Sequence, residues 1–185
     1  GTTSRGLGDV YKRQDSDLSI KFSGLITKKI LSNELIKSFA LPKKIHGTIF
    51  SKSTSGMKYG RHIDNAYMSS GRADLSFTVF LNCKKKYEGG ALSIQGLNSE
   101  EKFKLDAGEI IIYPSTYLHS VEKVIDGERL VFIGWIESYV KSIEEREYLF
   151  DLDAAARSLL AKYGRSEEVD LIYKSYSNFL RRLGN

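Results

Sequence analysis

The chain has 185 residues, of which 41% are hydrophobic and 28% charged, enough for one globular domain with a packed core and a small helical appendage. Its apolar runs fall short of the roughly 18 residues a membrane helix needs. The lone Cys83 excludes an internal disulfide and any cysteine-cluster metal site. We expect no secretory leader, and a reducing cytoplasm as the default compartment.

The formal charge of +5 is scattered over Lys43-Lys44, Lys84-Lys85-Lys86 and Arg181-Arg182, so nucleic acid is not indicated as a partner. Residues 1–15 lack periodicity and read as a disordered or non-native leader, outside the fold. Residues 25–40 place Ile26, Ile30, Leu31, Leu35 and Phe39 at helical spacing, and Pro42 closes the segment. From residue 45 the period switches to two. Ala73, Leu75, Phe77, Val79 and Leu81 share one strand face, with Asp74, Ser76 and Thr78 on the other. Glu88-Gly-Gly90, Asp106-Ala-Gly108 and Asp126-Gly127 read as turns, feeding strands at 91–95, 109–113 and 129–136. Residues 141–162 return to helix, stopped by Gly164, and Ser166 opens a last amphipathic helix to about Leu183. Even strand spacing predicts a mainly β antiparallel sandwich or jelly roll with flanking helices.

Three side chains carry the chemical signal. In His62-Ile-Asp64 the i, i+2 spacing puts an imidazole and a carboxylate on one strand face. Alone, an HxD triplet is a weak signal. His119, after an apolar strand and Pro114, supplies a second imidazole at the end of the barrel. Two histidines and one carboxylate form the facial triad that suits a non-haem iron with open positions. Arg129 shares a strand face with Val131, Ile133 and Trp135, and a cation on an apolar face calls for an anion, such as the far carboxylate of a metal-chelating diacid. His46 has no carboxylate near it and reads as structural.

These features sit inside longer motifs. Met57-Lys-Tyr59-Gly-Arg-His62-Ile-Asp64-Asn65-Ala66, Arg72-Ala-Asp74-Leu-Ser76, Tyr87-Glu-Gly-Gly90, Leu105-Asp-Ala-Gly108, Tyr113-Pro114, Leu118-His119 and Trp135-Ile-Glu-Ser138 resemble the bacterial PKHD-type hydroxylases. These are relatives of the prolyl 4-hydroxylases in the 2-oxoglutarate/Fe(II) oxygenase superfamily. Phe150-Asp-Leu-Asp153 and the tail from Tyr173 to Arg182 extend the likeness from about residue 20 to the end.

The resemblance implies a double-stranded β-helix (cupin-like) oxygenase domain over 16–140 and a C-terminal helical segment over 141–185, packed on the core. It implies iron ligands at His62, Asp64 and His119, with Arg129 and Tyr113 on 2-oxoglutarate. Asn65, Arg72 and Asp74 join Tyr113 as candidates behind the ligands or on the substrate side. It also implies ascorbate as reductant, and hydroxylation of a C–H bond by O₂, with release of succinate and CO₂. The substrate is expected to be a peptide, prolyl-like or otherwise, or a small molecule, and a homodimer is compatible with the sequence.

Two departures stand out. The family's first strand and helix are expected to be missing, as in a partial sequence. Where relatives carry a tyrosine before the HxD, this chain reads Ser51-Lys-Ser-Thr54, which bears on co-substrate affinity. A non-catalytic cupin-like metal module and a nucleic-acid repair dioxygenase are the competing readings.

Overall fold

The computed structural model describes residues 11–13 and 17–185. In order, its elements are β1 (Tyr11–Arg13), α1 (Asp17–Ser32), α2 (Glu34–Ala40), β2 (Pro42–Ser53), β3 (Tyr59–His62), β4 (Tyr67–Met68), β5 (Gly71–Arg72) and β6 (Leu75–Phe80). There follow β7 (Tyr87–Gly89), β8 (Leu92–Gln95), β9 (Glu100–Phe103), β10 (Ile110–Pro114), β11 (His119–Val121), β12 (Val124–Gly127) and β13 (Arg129–Ser138). Two helices, α3 (Ile143–Tyr163) and α4 (Glu167–Leu183), complete the chain. The mainly β core with flanking helices is as expected. Of the stretch set outside the fold, Tyr11–Arg13 pairs with β2; residues 1–10 and 14–16 lie outside the described residues.

The β6 sequence explains the layering. Its period-2 pattern separates Leu75, Phe77 and Val79 from Ser76 and Thr78, yet every residue of the strand is buried. β6 lies between β13 and β10 in the sheet β1-β2-β13-β6-β10, so both of its edges are paired, and its burial pattern shows that both faces are covered as well. The apolar face, with Phe132 and Ile136 of β13, packs against Ile30, Ile36 and Ala40 of the first two helices. Each large side chain buried there contributes roughly 1.5–3 kcal/mol over exposure. The polar face looks toward the second sheet, β3-β11-β8-β9, whose Leu92 and Ile94 pack with Tyr113 of β10. The site lies between the two sheets.

The first helices and two of the expected turns also depart from the sequence expectations. The helix expected over 25–40 is broken at Asn33, whose side chain accepts from Ile36 N and caps α2. The break shifts the helical phase, so Leu35 and Phe39 are exposed while Ile36 and Ala40 are buried. The motifs Glu88-Gly-Gly90 and Asp126-Gly127 are not turns between neighbouring strands; β7 and β12 pair with each other. Their glycines serve close approach. A Cβ on Gly89 would stand 2.2 Å from the Lys123 carbonyl oxygen, and one on Gly127 2.3 Å from that of Lys86.

The last helices follow their caps. Gly164 closes α3 at φ 73°, and the Ser166 hydroxyl accepts from Val169 N to open α4. Leu149 of α3 and Tyr176, Leu180 and Leu183 of α4 enclose Leu41 and Val140. Asp153, buried in α3, accepts from Ser38 of α2 at 2.5 Å, fastening the helical layer to the one before the sheet. No described helix is long and apolar enough to cross a membrane.

Candidate metal centre and its cavity

β3 and β11 are antiparallel neighbours, with His62 directly opposite His119. This cross-strand pairing brings together two imidazoles separated by 57 positions in the chain, with ring centroids 4.2 Å apart. Asp64 lies two residues past His62. The sequence placed it on the same strand, but β3 ends at His62 and Asp64 belongs to the loop that follows. Hydrogen bonds hold it there instead of the strand pleat. One ligand atom from each of His62, Asp64 and His119 falls within 4.8 Å of the other two.

The orientation of each group is fixed. His62 Nδ1 donates to the Gly60 carbonyl oxygen at 2.7 Å, and His119 Nδ1 donates to that of Tyr117 at 2.9 Å. Because a carbonyl only accepts, Nδ1 carries a proton in each ring, and Nε2 is the atom turned toward Asp64, the one a metal would take in place of a proton. Each Nε2 stands 3.4 Å from Asp64 Oδ1. The other carboxylate oxygen, Oδ2, accepts from Ser76 Oγ at 2.6 Å and from Trp135 Nε1 at 2.9 Å.

Burial raises the Asp64 pKa, but hydrogen bonds from His119 and His62, the His119 charge and the Ser76 hydroxyl outweigh it and hold the carboxyl well below the usual carboxylate range. For His119, burial favours the neutral ring, yet the Asp64 carboxylate and the Tyr117 carbonyl raise its pKa. The constellation is therefore an ionised carboxylate between two oriented imidazoles. Its two nitrogens and one oxygen suit a divalent transition metal that keeps open positions.

The three residues open onto a cavity of about 130 Å³, room for a few waters at roughly 30 Å³ each. Tyr59, Tyr113, Arg129, Val131 and Trp135 also line it. Tyr59 packs on the His62 ring with centroids 4.2 Å apart, and Tyr113 meets the His119 ring edge-on at 5.1 Å. Burial pushes the phenols of both tyrosines up. Ser51 and Ser53 line the wall next to Arg129.

Arg129 is 4% exposed, as its place on an apolar strand face predicted. Its guanidinium stands over the Phe80 ring at 5.9 Å, and its Nε has no hydrogen-bond partner. Among the described residues no carboxylate pairs with it. Burial lowers its pKa, though an arginine of this kind stays charged. Among the described residues the Tyr87 hydroxyl is a further buried polar group left without a partner. An uncompensated buried cation costs several kcal/mol unless an anion arrives.

Other candidates serve the fold. Arg72 Nε donates to both oxygens of Asp74 at 2.9 Å, and Arg72 Nη2 donates to the Ser138 carbonyl oxygen. The pair thus locks the exit of β13, away from the metal ligands. Asn65 is exposed. His46 is structural as read, its ring nitrogens bonded to Ser70 Oγ and the Arg72 carbonyl oxygen. The sequence reading missed Ser76, Ser115, Tyr59, Tyr87 and the indole N–H of Trp135. A signal existed for Ser76: a hydroxyl row inside an otherwise apolar central strand needs partners.

Comparison with known proteins gives a consistent picture. Residues 48–137 match the 2OG-Fe(II) oxygenase superfamily, and residues 144–184 match the PKHD-type hydroxylase C-terminal domain. A PKHD-type hydroxylase of Prochlorococcus marinus strain MIT 9215 is 76% identical over 92% of this chain and 77% of its own length. Its counterpart in strain MIT 9515 is 72% identical over 93% and 78%. Among solved structures, a Pseudomonas putida prolyl-4-hydroxylase superposes with TM-score 0.51 at 19% identity, covering 70% of this chain and 71% of that one. An oxidoreductase of the 2OG-Fe(II) oxygenase family from Burkholderia pseudomallei gives 0.52 at 18%, covering 69% and 68%. The structural likenesses establish the fold.

Proposed function

The chain belongs to the PKHD-type hydroxylases of the 2OG-Fe(II) oxygenase superfamily, and from that premise we propose that it hydroxylates a C–H bond of a peptide or small molecule, consuming 2-oxoglutarate and O₂ and releasing succinate and CO₂. The observation that carries this reading is one cavity with the His62–Asp64–His119 cluster at one end and a buried Arg129 without a counter-ion at the other. The donor set fits Fe(II), and the guanidinium fits a carboxylate. In this reading His62 Nε2, Asp64 Oδ1 and His119 Nε2 hold the metal. Arg129 takes the far carboxylate of the 2-oxo acid, with Tyr113 beside it.

When bound, the iron supplies O₂ activation coupled to oxidative decarboxylation. The chain's own work is to orient and to exclude water. Gly60 and Tyr117 fix the imidazole tautomers, and Tyr59 and Tyr113 wall the ligand rings. Arg129 sets the direction in which the co-substrate enters, which decides the face left for O₂ and the substrate. Ascorbate would keep the metal reduced between turnovers. The same reading takes residues 16–140 as the oxygenase domain and 141–185 as a helical segment packed on it. The basic side chains of the four-stranded sheet support a peptide or metabolite over nucleic acid: Arg61 pairs with Glu100 and Lys102 with Glu122, so each is countered by a carboxylate.

The test is turnover. Purified protein with Fe(II), ascorbate and 2-oxoglutarate is offered peptide and metabolite pools, and succinate is measured together with products 16 mass units heavier. Succinate that rises with an added substrate supports the reading. Metal binding without succinate in every pool would favour a non-catalytic cupin-like module.

A further inference from the structure

We propose that Trp135 and Ser76 are positioning residues that confine Asp64 to a single metal-facing oxygen, and that a β-bulge at Gly47 places the indole for this task. The inference rests on the reading of His62, Asp64 and His119 as metal ligands. A carboxylate oxygen offers two lone pairs. Both of those on Oδ2 are taken, by Ser76 Oγ at 2.6 Å and Trp135 Nε1 at 2.9 Å. Only Oδ1 faces the two imidazoles, 3.4 Å from each. A carboxylate free to turn would offer both oxygens to a cation and occupy a position that the co-substrate or O₂ needs. The two donors hold it in one orientation, so Asp64 takes one position and no more.

The fold builds this clamp from one row of the sheet. Trp135 of β13 and Tyr113 of β10 are both direct partners of Ser76 in β6. Ser76 is steadied in turn by Ser115 Oγ at 2.8 Å, whose own backbone N–H donates to the Asp74 carbonyl oxygen.

On the other side of β13 the register with β2 shifts between Ile133 and Trp135. Opposite the single residue Gly134, β2 carries two, Gly47 and Thr48. Gly47 adopts φ 65°, the left-handed conformation of a bulge glycine. A Cβ there would stand 2.8 Å from Trp135 Cε3, so the glycine also clears space for the indole. Gly134 does the same for Phe77, whose Cζ would stand 2.7 Å from an added Cβ. Bulges beside a site re-aim side chains, and this one brings the Trp135 N–H onto Asp64.

The test uses Co(II) alone as probe, titrated into the metal-free full chain and followed by its visible ligand-field spectrum. Trp135→Phe and Ser76→Ala should each weaken Co(II) binding by about 10- to 100-fold, the usual loss when a partner behind a ligand is removed. Each should also change band intensity as the carboxylate turns to present both oxygens. Ser76→Thr keeps the hydroxyl and should restore affinity and spectrum. Ser76→Ala serves if Trp135→Phe fails to fold.

Unchanged affinity and spectrum in both deletions, with binding lost in Asp64→Ala, would overturn the clamp and leave the metal site standing. Failure of Ser76→Thr to restore what Ser76→Ala loses would also overturn it, since a packing defect then explains the loss. If Asp64→Ala binds Co(II) like the parent chain, the ligand reading fails and the clamp with it.

Discussion

The two ends of the cavity differ in how completely the protein satisfies them. At the His62–Asp64–His119 end each imidazole Nδ1 has a carbonyl acceptor and Asp64 Oδ2 has two donors. At the Arg129 end a buried guanidinium and the Tyr87 hydroxyl lack partners. The first end is organised before anything binds. The second is built at a cost that a ligand removes, and so it is specified by what it lacks. Sites that must hold their geometry through every turnover gain from the first arrangement. A seat that a co-substrate must enter and leave gains from the second.

The largest effect expected from breaking this contrast is at the organised end. Asp64→Ala should abolish the visible charge-transfer band of the anaerobic Fe(II)–2-oxoglutarate complex; a band of parental intensity in that variant would remove Asp64 from the ligand set. At the open end Arg129→Ala should cost about 2–5 kcal/mol in co-substrate binding, as for loss of one partner of a buried charge pair. The iron affinity should hold, and equal losses of iron and 2-oxoglutarate would mean that the two ends are not separable.

Smaller effects sharpen the comparison through stability in the absence of ligand. Arg129→Met removes a buried charge without a counter-ion and should stabilise the ligand-free protein by about 1–4 kcal/mol in denaturant unfolding; a destabilised variant would show that the guanidinium is already satisfied. Gly90→Ala adds a Cβ 3.1 Å from Arg129 Cδ at a backbone φ of 69°, and should cost more than about 1 kcal/mol of stability and raise the 2-oxoglutarate KM. Tyr87→Phe discards a hydroxyl that bonds to nothing in the ligand-free protein. Its unfolding free energy should rise by about 1–3 kcal/mol, the cost of an unpaired buried hydroxyl, whereas Ser76→Ala should lose roughly 1–3 kcal/mol by leaving Asp64 short of a donor.

Much of this was legible in the chain. The alternation along β6 identified both its faces, Gly164 and Ser166 marked the helix boundary, and Arg129 stood out by strand phase; the His62-Ile-Asp64 spacing and the place of His119 after Pro114 pointed to the cluster, although Asp64 lies in the loop beyond β3. Other features are set by interactions that local pattern does not encode. The pairing of β7 with β12 joins residues 35 to 40 positions apart through glycines that also read as turns. The break at Asn33 needed a capping bond to outweigh an otherwise continuous helical stripe. Asp64 reaches its place through Ser76 and Trp135, whose convergence depends on the register of β6 against β13 and on the bulge in β2.

That register has a consequence for how the protein tolerates change in length. Because β6 is covered on both sides, inserting one residue before Ser76 would swap the occupants of its two faces. Phe77 and Val79 would enter the cavity, and Ser76 and Thr78 would turn toward the helices. A single inserted residue is thus a chemical mutation of the metal centre as well as an error of packing. A two-residue insertion preserves the alternation and, if the flanking loops absorb the added length, can leave the centre intact. Engineering or natural drift in this strand should therefore accept changes of even length long before odd ones.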